Sequence, residues 1–445
     1  MMKTPIIDFV KGYAESRAAR LHMPGHKGQN ITGVEKFDIT EIKGADELYA
    51  ADGIIDESEN NASALFGSAH SYYSAEGSTL AIKAMLTLAA SERPMGERPL
   101  FVAARNIHKA FVYGAAMLDA DVEWVYSERG HICKCVITPN DIERAIERCP
   151  RKPDGVYITS PDYLGNIADI KGIADVCDRL GVPLLVDNAH GAYLAFLEEN
   201  RHPMALGASM CADSAHKTLP VITGGAYLHI AKKAQRFCAS ARSAMAVYAS
   251  TSPSYLVLQS LDACNKHLAE SDRQGLKSIC EYVENMKARL LKKRIVTVGD
   301  EPIKIVINAT ASGYEGGELA KIFRLGGIEP EFCDRDYLVL MLSEFNTEGE
   351  REALSAVVDS LAGKEPLDRE AVKAPRCHCA MSIREAVFAP FESVPVSQAE
   401  GRICAAPTVS CPPAVPIAVS GEVISRECVN AFLHYGIDSV SVVKK

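Results

Sequence analysis

Between Phe37 and Val257, short β-rich runs alternate with longer stretches in which apolar residues recur at helical spacing. Few folds tolerate this rhythm. A strand followed by a helix and another strand places the two strands parallel, because the helix returns the chain to the same end of the sheet. Strands are predicted over 100–104, 122–126, 155–159, 183–187 and 225–230, and helices over 80–90, 109–118, 141–148 and 173–180. The last helix stops at Gly181 with Pro183 beyond, a combination that ends helices by geometry. The expected class is therefore α/β, built on a large domain with a mostly parallel sheet.

The 445 residues exceed what one compact core holds, so further domains follow. From about residue 271 a charged amphipathic stretch, Cys280 to Arg294, leads into a second α/β unit with strands over 302–308 and 337–342 and a helix over 317–324. A Lys/Glu/Pro-rich stretch, 363–375, reads as a linker, and a proline cluster at 411–416 cannot lie inside a helix. The expected organisation is an N-terminal arm over 1–36, a large domain over 37–270, a smaller α/β domain over 271–365 and a small α+β C-terminal domain over 366–445.

Composition narrows the function classes. No apolar run is long enough to span a bilayer, and the amphipathic N-terminus has no apolar signal core, so a cytoplasmic protein without membrane attachment is expected. Fourteen cysteines scattered through such a chain are expected as free thiols. Cys133 with Cys135, and Cys377-His378-Cys379, do not match the paired spacing of structural zinc sites, so no metal is expected. A net charge of −9 argues against a nucleic-acid partner and is compatible with a cationic small-molecule substrate.

Chemistry concentrates around Lys217, in Asp213-Ser-Ala-His-Lys-Thr218 with Gly224-Gly225 close behind. A lysine that carries a carbonyl cofactor must be held beside polar donors, and Ser214 and His216 suit a phosphate. Alone, the segment reads more readily as a polar turn with a surface lysine. Asp187 closes the run Pro-Leu-Leu-Val-Asp at the carboxyl end of a predicted strand, where open α/β sheets bind ligands. A carboxylate there could keep the ring nitrogen of pyridoxal 5'-phosphate (PLP) protonated; it could also simply cap a helix. Glu76-Gly77-Ser78-Thr79 opens a helix whose N–H groups and hydroxyls would cradle a phosphate. His108 lies past another predicted strand end, placed to stack on a ring, and His190 lies close to Asp187 as a possible proton donor.

The order of these segments reproduces the layout of fold-type I PLP enzymes. More closely, the chain resembles the short form of the Orn/Lys/Arg decarboxylase family over nearly its whole length. The resemblance rests on Leu21-His-Met-Pro-Gly-His-Lys-Gly28, Asp38-Ile-Thr-Glu41, Glu76–Thr79, Arg105-Asn-Ile-His-Lys109, Thr159-Ser-Pro161, Asp187-Asn-Ala-His-Gly191, Ser214-Ala-His-Lys-Thr-Leu-Pro220 and Ser250-Thr-Ser-Pro-Ser-Tyr255. It implies that Lys217 is the Schiff-base lysine, that Asp187 pairs with the pyridine nitrogen and that His108 stacks on the ring. Ser78, Thr79, Ser214 and His216 would hold the phosphate, with Gly77, His190 and Ser252 also at the cofactor. The Ser250–Tyr255 segment would reach a neighbouring subunit's site, implying a homodimer with shared active sites, or a higher oligomer. Three departures stand out: Glu76 where members often carry Asn, Asn188 where a Glu usually follows the Asp, and Ser410-Cys-Pro-Pro-Ala-Val-Pro416 in place of the usual proline-rich C-terminal segment. Glu422 still matches.

The expected reaction is decarboxylation of a basic amino acid, arginine favoured over lysine and ornithine, yielding agmatine or a diamine. Glu422 and Asp262 are candidates for meeting the substrate's distal cation. Two rival readings are transamination or lyase chemistry on another amino acid, and a degenerate PLP-binding or interaction protein on the same scaffold.

Overall fold

A computed structural model describes residues 2–127, 131–134, 136–407 and 415–444. Strands β1 (His70–Ser74), β2 (Leu100–Ala104), β3 (Asp121–Val125), β4 (Gly155–Thr159), β5 (Leu184–Asp187), β6 (Met210–Asp213) and β7 (Ala226–Ile230) alternate with helices, as the sequence pattern requires. The chain forms two compact units. The first holds Met1–Glu97, Asp154–Ile158 and Ile170–Arg273, and the second holds Arg98–Pro153, Thr159–Asp169 and Gln274–Lys445.

In the first unit the strands lie in the order β1-β7-β6-β5-β4. β5 and β6 are parallel, with Asp187 opposite Ala212, while β7 runs antiparallel to both β6 and β1. β5, β6 and β7 are buried along their whole length. That burial explains the unbroken apolar run Leu184-Leu-Val in place of an alternating one.

Two strands of the first unit escaped the sequence pattern. β1 reads His-Ser-Tyr-Tyr-Ser and β6 reads Met-Cys-Ala-Asp, neither of them an apolar β-rich run. β1 is buried because its hydroxyls find partners: Tyr73 meets Ser58 at 2.6 Å and Ser71 meets Nδ1 of His229 at 2.7 Å. The helix predicted over 141–148 is Pro139–Arg148. Its start is set by a capping box in which the Thr138 side chain accepts from the Asp141 N–H and the Asp141 side chain accepts from the Thr138 N–H. The N-terminal arm forms a helix, Pro5–Glu15, that buries Ile6 and Val10.

The second unit contains the parallel pair β2–β3 and a four-stranded antiparallel sheet of β8 (Thr297–Val298), β9 (Lys304–Asn308), β10 (Phe332–Cys333) and β11 (Tyr337–Met341), ordered β10-β11-β9-β8. A third, two-stranded sheet pairs β12 (Phe391–Pro395) with β13 (Ser439–Val443). Residues 274–365 and 366–445 both fall in this unit because they share a core: Val306, Phe332 and Val339 of the small sheet pack in one cluster with Ile417, Ile424, Phe432 and Val442. The 363–375 stretch is tied down rather than free. Gly363 N–H donates to Lys293 O, Leu367 N–H to Thr310 O, and Val372 O accepts from Ile132 N–H. Most of the proline cluster, Cys411 to Ala414, lies outside the described residues, as does Cys135. Among the described residues no helix is long and apolar enough to cross a membrane.

Candidate active site

Parallel β5 and β6 end side by side, and the chemistry-bearing residues of the first unit hang from those ends. Asp187 is buried at the end of β5. Its Oδ2 accepts from the Tyr157 hydroxyl at 3.0 Å and its Oδ1 from the Ala189 N–H at 3.2 Å. Burial pushes the Asp187 carboxyl above its ordinary value, while Tyr157, the Lys217 charge and the Ala189 N–H oppose the rise. A buried carboxylate in this condition is stabilised by an added cation at its open side.

Lys217 follows the end of β6 on the one-turn helix Ala215–Thr218, with its side chain exposed. Its Nζ lies 3.1 Å from Nε2 of His190, so the sequence-predicted lysine and histidine meet. Ser214, just before that turn, donates to the Ser78 hydroxyl at 2.7 Å. Ser78 sits in the first turn of the helix Gly77–Ala90, where backbone N–H groups lack helical partners. Gly77 takes φ +71°, and its N–H donates to Gly224 O at 2.7 Å. Gly224 itself has φ +102°, and a Cβ there would lie 2.9 Å from the Ala75 carbonyl oxygen, so this close approach requires glycine. His216 is held through Nδ1 against Gly225 O at 3.0 Å, and its burial lowers its pKa. Thr79 is exposed at the next position of the helix.

These residues fit PLP. The helix start with paired Ser78 and Ser214 hydroxyls suits a phosphate. Asp187 suits a protonated ring nitrogen, and Lys217 is exposed with its Nζ beside His190. The Thr218 Oγ1 is buried with no hydrogen-bond partner among the described residues. Ser252 is exposed; its N–H bonds Ser250 Oγ, and the Ser250 N–H donates to Glu76 Oε1 at 2.6 Å. The unusual Glu76 thus anchors the Ser250 segment of its own chain beside the helix start.

Two substrate candidates are corrected. Asp262 is buried, and its carboxylate is occupied: Oδ2 accepts from the N–H groups of Ile6 and Ile7, both at 3.0 Å, and Oδ1 from Ser58 at 2.6 Å. It caps the helix Pro5–Glu15, and burial pushes its carboxyl up to about 6. Glu422, in the second unit, is also buried. Its Oε2 pairs with Arg105 at 3.1 Å and accepts from the Val419 N–H at 2.7 Å. It is the counter-ion of a buried arginine, not an open anion awaiting a substrate. His108, also in the second unit, is the N-cap of the helix Lys109–Leu118, its Nδ1 accepting from the Ala110 N–H at 3.1 Å. Of the cysteine pairs, Cys377 lies with its sulfur 3.2 Å from that of Cys428, and Cys379 pairs through its backbone with Glu422.

A profile of the Orn/Lys/Arg decarboxylase major domain matches residues 4–310, and one of the family's C-terminal domain matches residues 368–438. The chain belongs to the Orn/Lys/Arg decarboxylase family. It is 27% identical over 460 residues to an arginine decarboxylase of Bacillus subtilis, covering 96% of this chain and 92% of that one. Among solved structures it is similar to the constitutive lysine decarboxylase of E. coli, with TM-score 0.78 and 17% identity over 99% of this chain and 82% of that one. It is also similar to a lysine decarboxylase of Francisella novicida, with TM-score 0.80 and 15% identity over 99% and 81%. The α/β large domain is the fold-type I PLP-dependent architecture expected from the sequence.

For this family member, sequence reasoning missed Tyr157 as a partner of Asp187, and missed the buried cluster of Asn188, His202, Asp213 and His229. Tyr157 carried one signal, a hydroxyl in the middle of a predicted strand whose neighbours on either side, Val156 and Ile158, are apolar. His202 and His229 are distant in sequence and carried none. Asp262→Ala is expected to cost roughly 1–3 kcal/mol of stability, because it strands two backbone N–H groups and a hydroxyl. PLP affinity should stay at the wild-type value. Thermal denaturation and a cofactor titration check both, and a weakened cofactor with unchanged stability would reinstate Asp262 at the site.

Proposed function

We propose that the protein decarboxylates a basic L-amino acid using PLP held on Lys217, with arginine as the favoured substrate and agmatine and carbon dioxide as products. The observation that carries this reading is the meeting of Lys217 Nζ and His190 Nε2 beside the buried, strand-end Asp187, in a chain of this family. When bound, the cofactor supplies an electron-poor ring that delocalises the electron pair left as carbon dioxide departs. Lys217 would hold the cofactor through Nζ, and that same Nζ, beside His190 Nε2, would carry a proton. Asp187 keeps a proton on the ring nitrogen, and Tyr157 fixes the carboxylate's orientation. Gly77, Ser78, Thr79, Ser214 and His216 bind the phosphate, His108 takes the ring-stacking role that the family resemblance implies, and Ser252 belongs to the cofactor surroundings. His190 Nε2 or Lys217 Nζ returns a proton to the substrate Cα.

The similar Bacillus subtilis protein is an arginine decarboxylase, whereas the similar solved structures are lysine decarboxylases, so the side-chain cation is common ground. We further read the protein as a cytoplasmic homodimer with shared active sites that supplies amines for polyamine synthesis. The described cysteines are free thiols, which suits a reducing compartment. The Ser250–Tyr255 segment matches the one that reaches a neighbouring subunit in the family.

The test is incubation with arginine, lysine and ornithine, with carbon dioxide measured and the amine identified. Agmatine formed with stoichiometric carbon dioxide is expected. A keto acid as product, or no turnover of any of the three, would sink the reading.

A further inference from the structure

Asp213 closes β6 four residues before Lys217 and is completely buried. Four donors converge on it. Its Oδ2 accepts from Nε2 of His202 at 2.9 Å and Nε2 of His229 at 3.2 Å; its Oδ1 accepts from the Asn188 amide at 2.7 Å and the Cys211 thiol at 3.2 Å. His202, Cys211 and Asp213 are spaced as metal ligands could be, but the protons argue otherwise. Nδ1 of His202 accepts from the Met204 N–H at 3.2 Å, so Nε2 carries the ring's proton and has no lone pair for a metal. The cluster is a hydrogen-bonded carboxylate with imidazole N–H donors. Burial pushes the Asp213 carboxyl up, yet the two histidines hold it far below the usual carboxylate range, so it stays ionised inside the sheet.

Its placement gives that charge a task. Asn188 follows Asp187, and it grips the neighbouring strand end twice: its N–H donates to Ala212 O at 2.9 Å and its amide to Asp213. Ser214 and the Lys217 turn follow Asp213 directly. The titratable groups that face Asp213 are His202, Cys211, His229 and Tyr227, with Asp187 and Lys217 beyond. A second buried negative charge behind Asp187 raises the proton affinity of whatever Asp187 binds.

We propose that Asp213 is a positioning residue of the cofactor site: with Asn188 it locks the Asp187 and Lys217 strand ends together, and its charge reinforces Asp187 in keeping the ring nitrogen protonated. This rests on the PLP reading above.

Asp213→Asn removes the charge at constant shape. The Asn188 Oδ1 is buried without a partner among the described residues, so the Asn188 amide can turn to accept from the new side chain. Asn188→Ala removes the lock and leaves the charge. Protein loaded with PLP labelled at the ring nitrogen is titrated by NMR, and cofactor affinity is measured by the visible band. D213N is expected to lower the pH at which the ring nitrogen loses its proton by about one unit or more and to weaken affinity severalfold. N188A is expected to weaken affinity severalfold with the titration unmoved. A merely structural role would lower melting temperature and leave the titration where it was. Wild-type affinity and titration in both variants overturn the proposal. If D213N does not fold, wild-type affinity in N188A overturns it alone. Absence of a visible band in the wild type sinks the cofactor reading and this proposal together, whereas a normal wild-type band with unaltered variants sinks this proposal only.

Discussion

Lys217→Ala is expected to abolish the visible absorbance of protein reconstituted with PLP and to lower amine formation by roughly three orders of magnitude or more. The lysine is asked to do two things: anchor the cofactor's carbonyl and carry a proton at the reacting carbon. Truncation removes both while leaving the Ser78–Ser214 contact and the Asp187 hydrogen bonds in place. Because the side chain is exposed, folding should change by no more than about 0.5 kcal/mol. Loss of the band in a variant with wild-type melting behaviour therefore isolates the chemistry. A visible band that survives the substitution unchanged would remove Lys217 from the cofactor site.

Arg105→Ala is expected to be the most destabilising single change considered, at roughly 3–5 kcal/mol. Arg105 is 1% exposed, and besides Glu422 it donates to Pro416 O at 2.8 Å and Ile417 O at 3.1 Å. Its guanidinium carbon also lies 5.5 Å from the centre of the Trp124 ring. The Glu422 charge holds the arginine's pKa up against burial, and the loss of the arginine leaves that charge buried with the Val419 N–H as its remaining donor among the described residues. Pairing the change with Glu422→Gln should recover part of the loss, because the stranded charge is then gone. Thermal and denaturant unfolding of the two single variants and the double variant measure this. A cost under about 1 kcal/mol for R105A, or no recovery in the double variant, would mean that Glu422 is free for another partner.

Both results bear on how far one chain's sequence reaches. Periodicity determined the α/β class, the strands at 100–104 and 155–159 and the helix at 109–118, because local apolar spacing dictates which face is buried whatever the partner is. Periodicity did not group Lys217, His190, Asp187 and Ser78; the order of their segments, shared with the family, did, and in the structure Lys217 meets His190. Periodicity could not find β1 or β6, whose polar residues are tolerable in the interior only because partners on other elements satisfy them. It misjudged Asp262 and Glu422 for the same reason. A carboxylate reads as available until its donors are known, and those donors, Ile6, Ile7 and Ser58 for one and Arg105 for the other, are separated from it by 204 to 317 residues. Spacing along the chain determined which groups could form a cofactor site. Only tertiary packing decided which charges were already answered, because hydrogen-bond satisfaction is settled by neighbours in space.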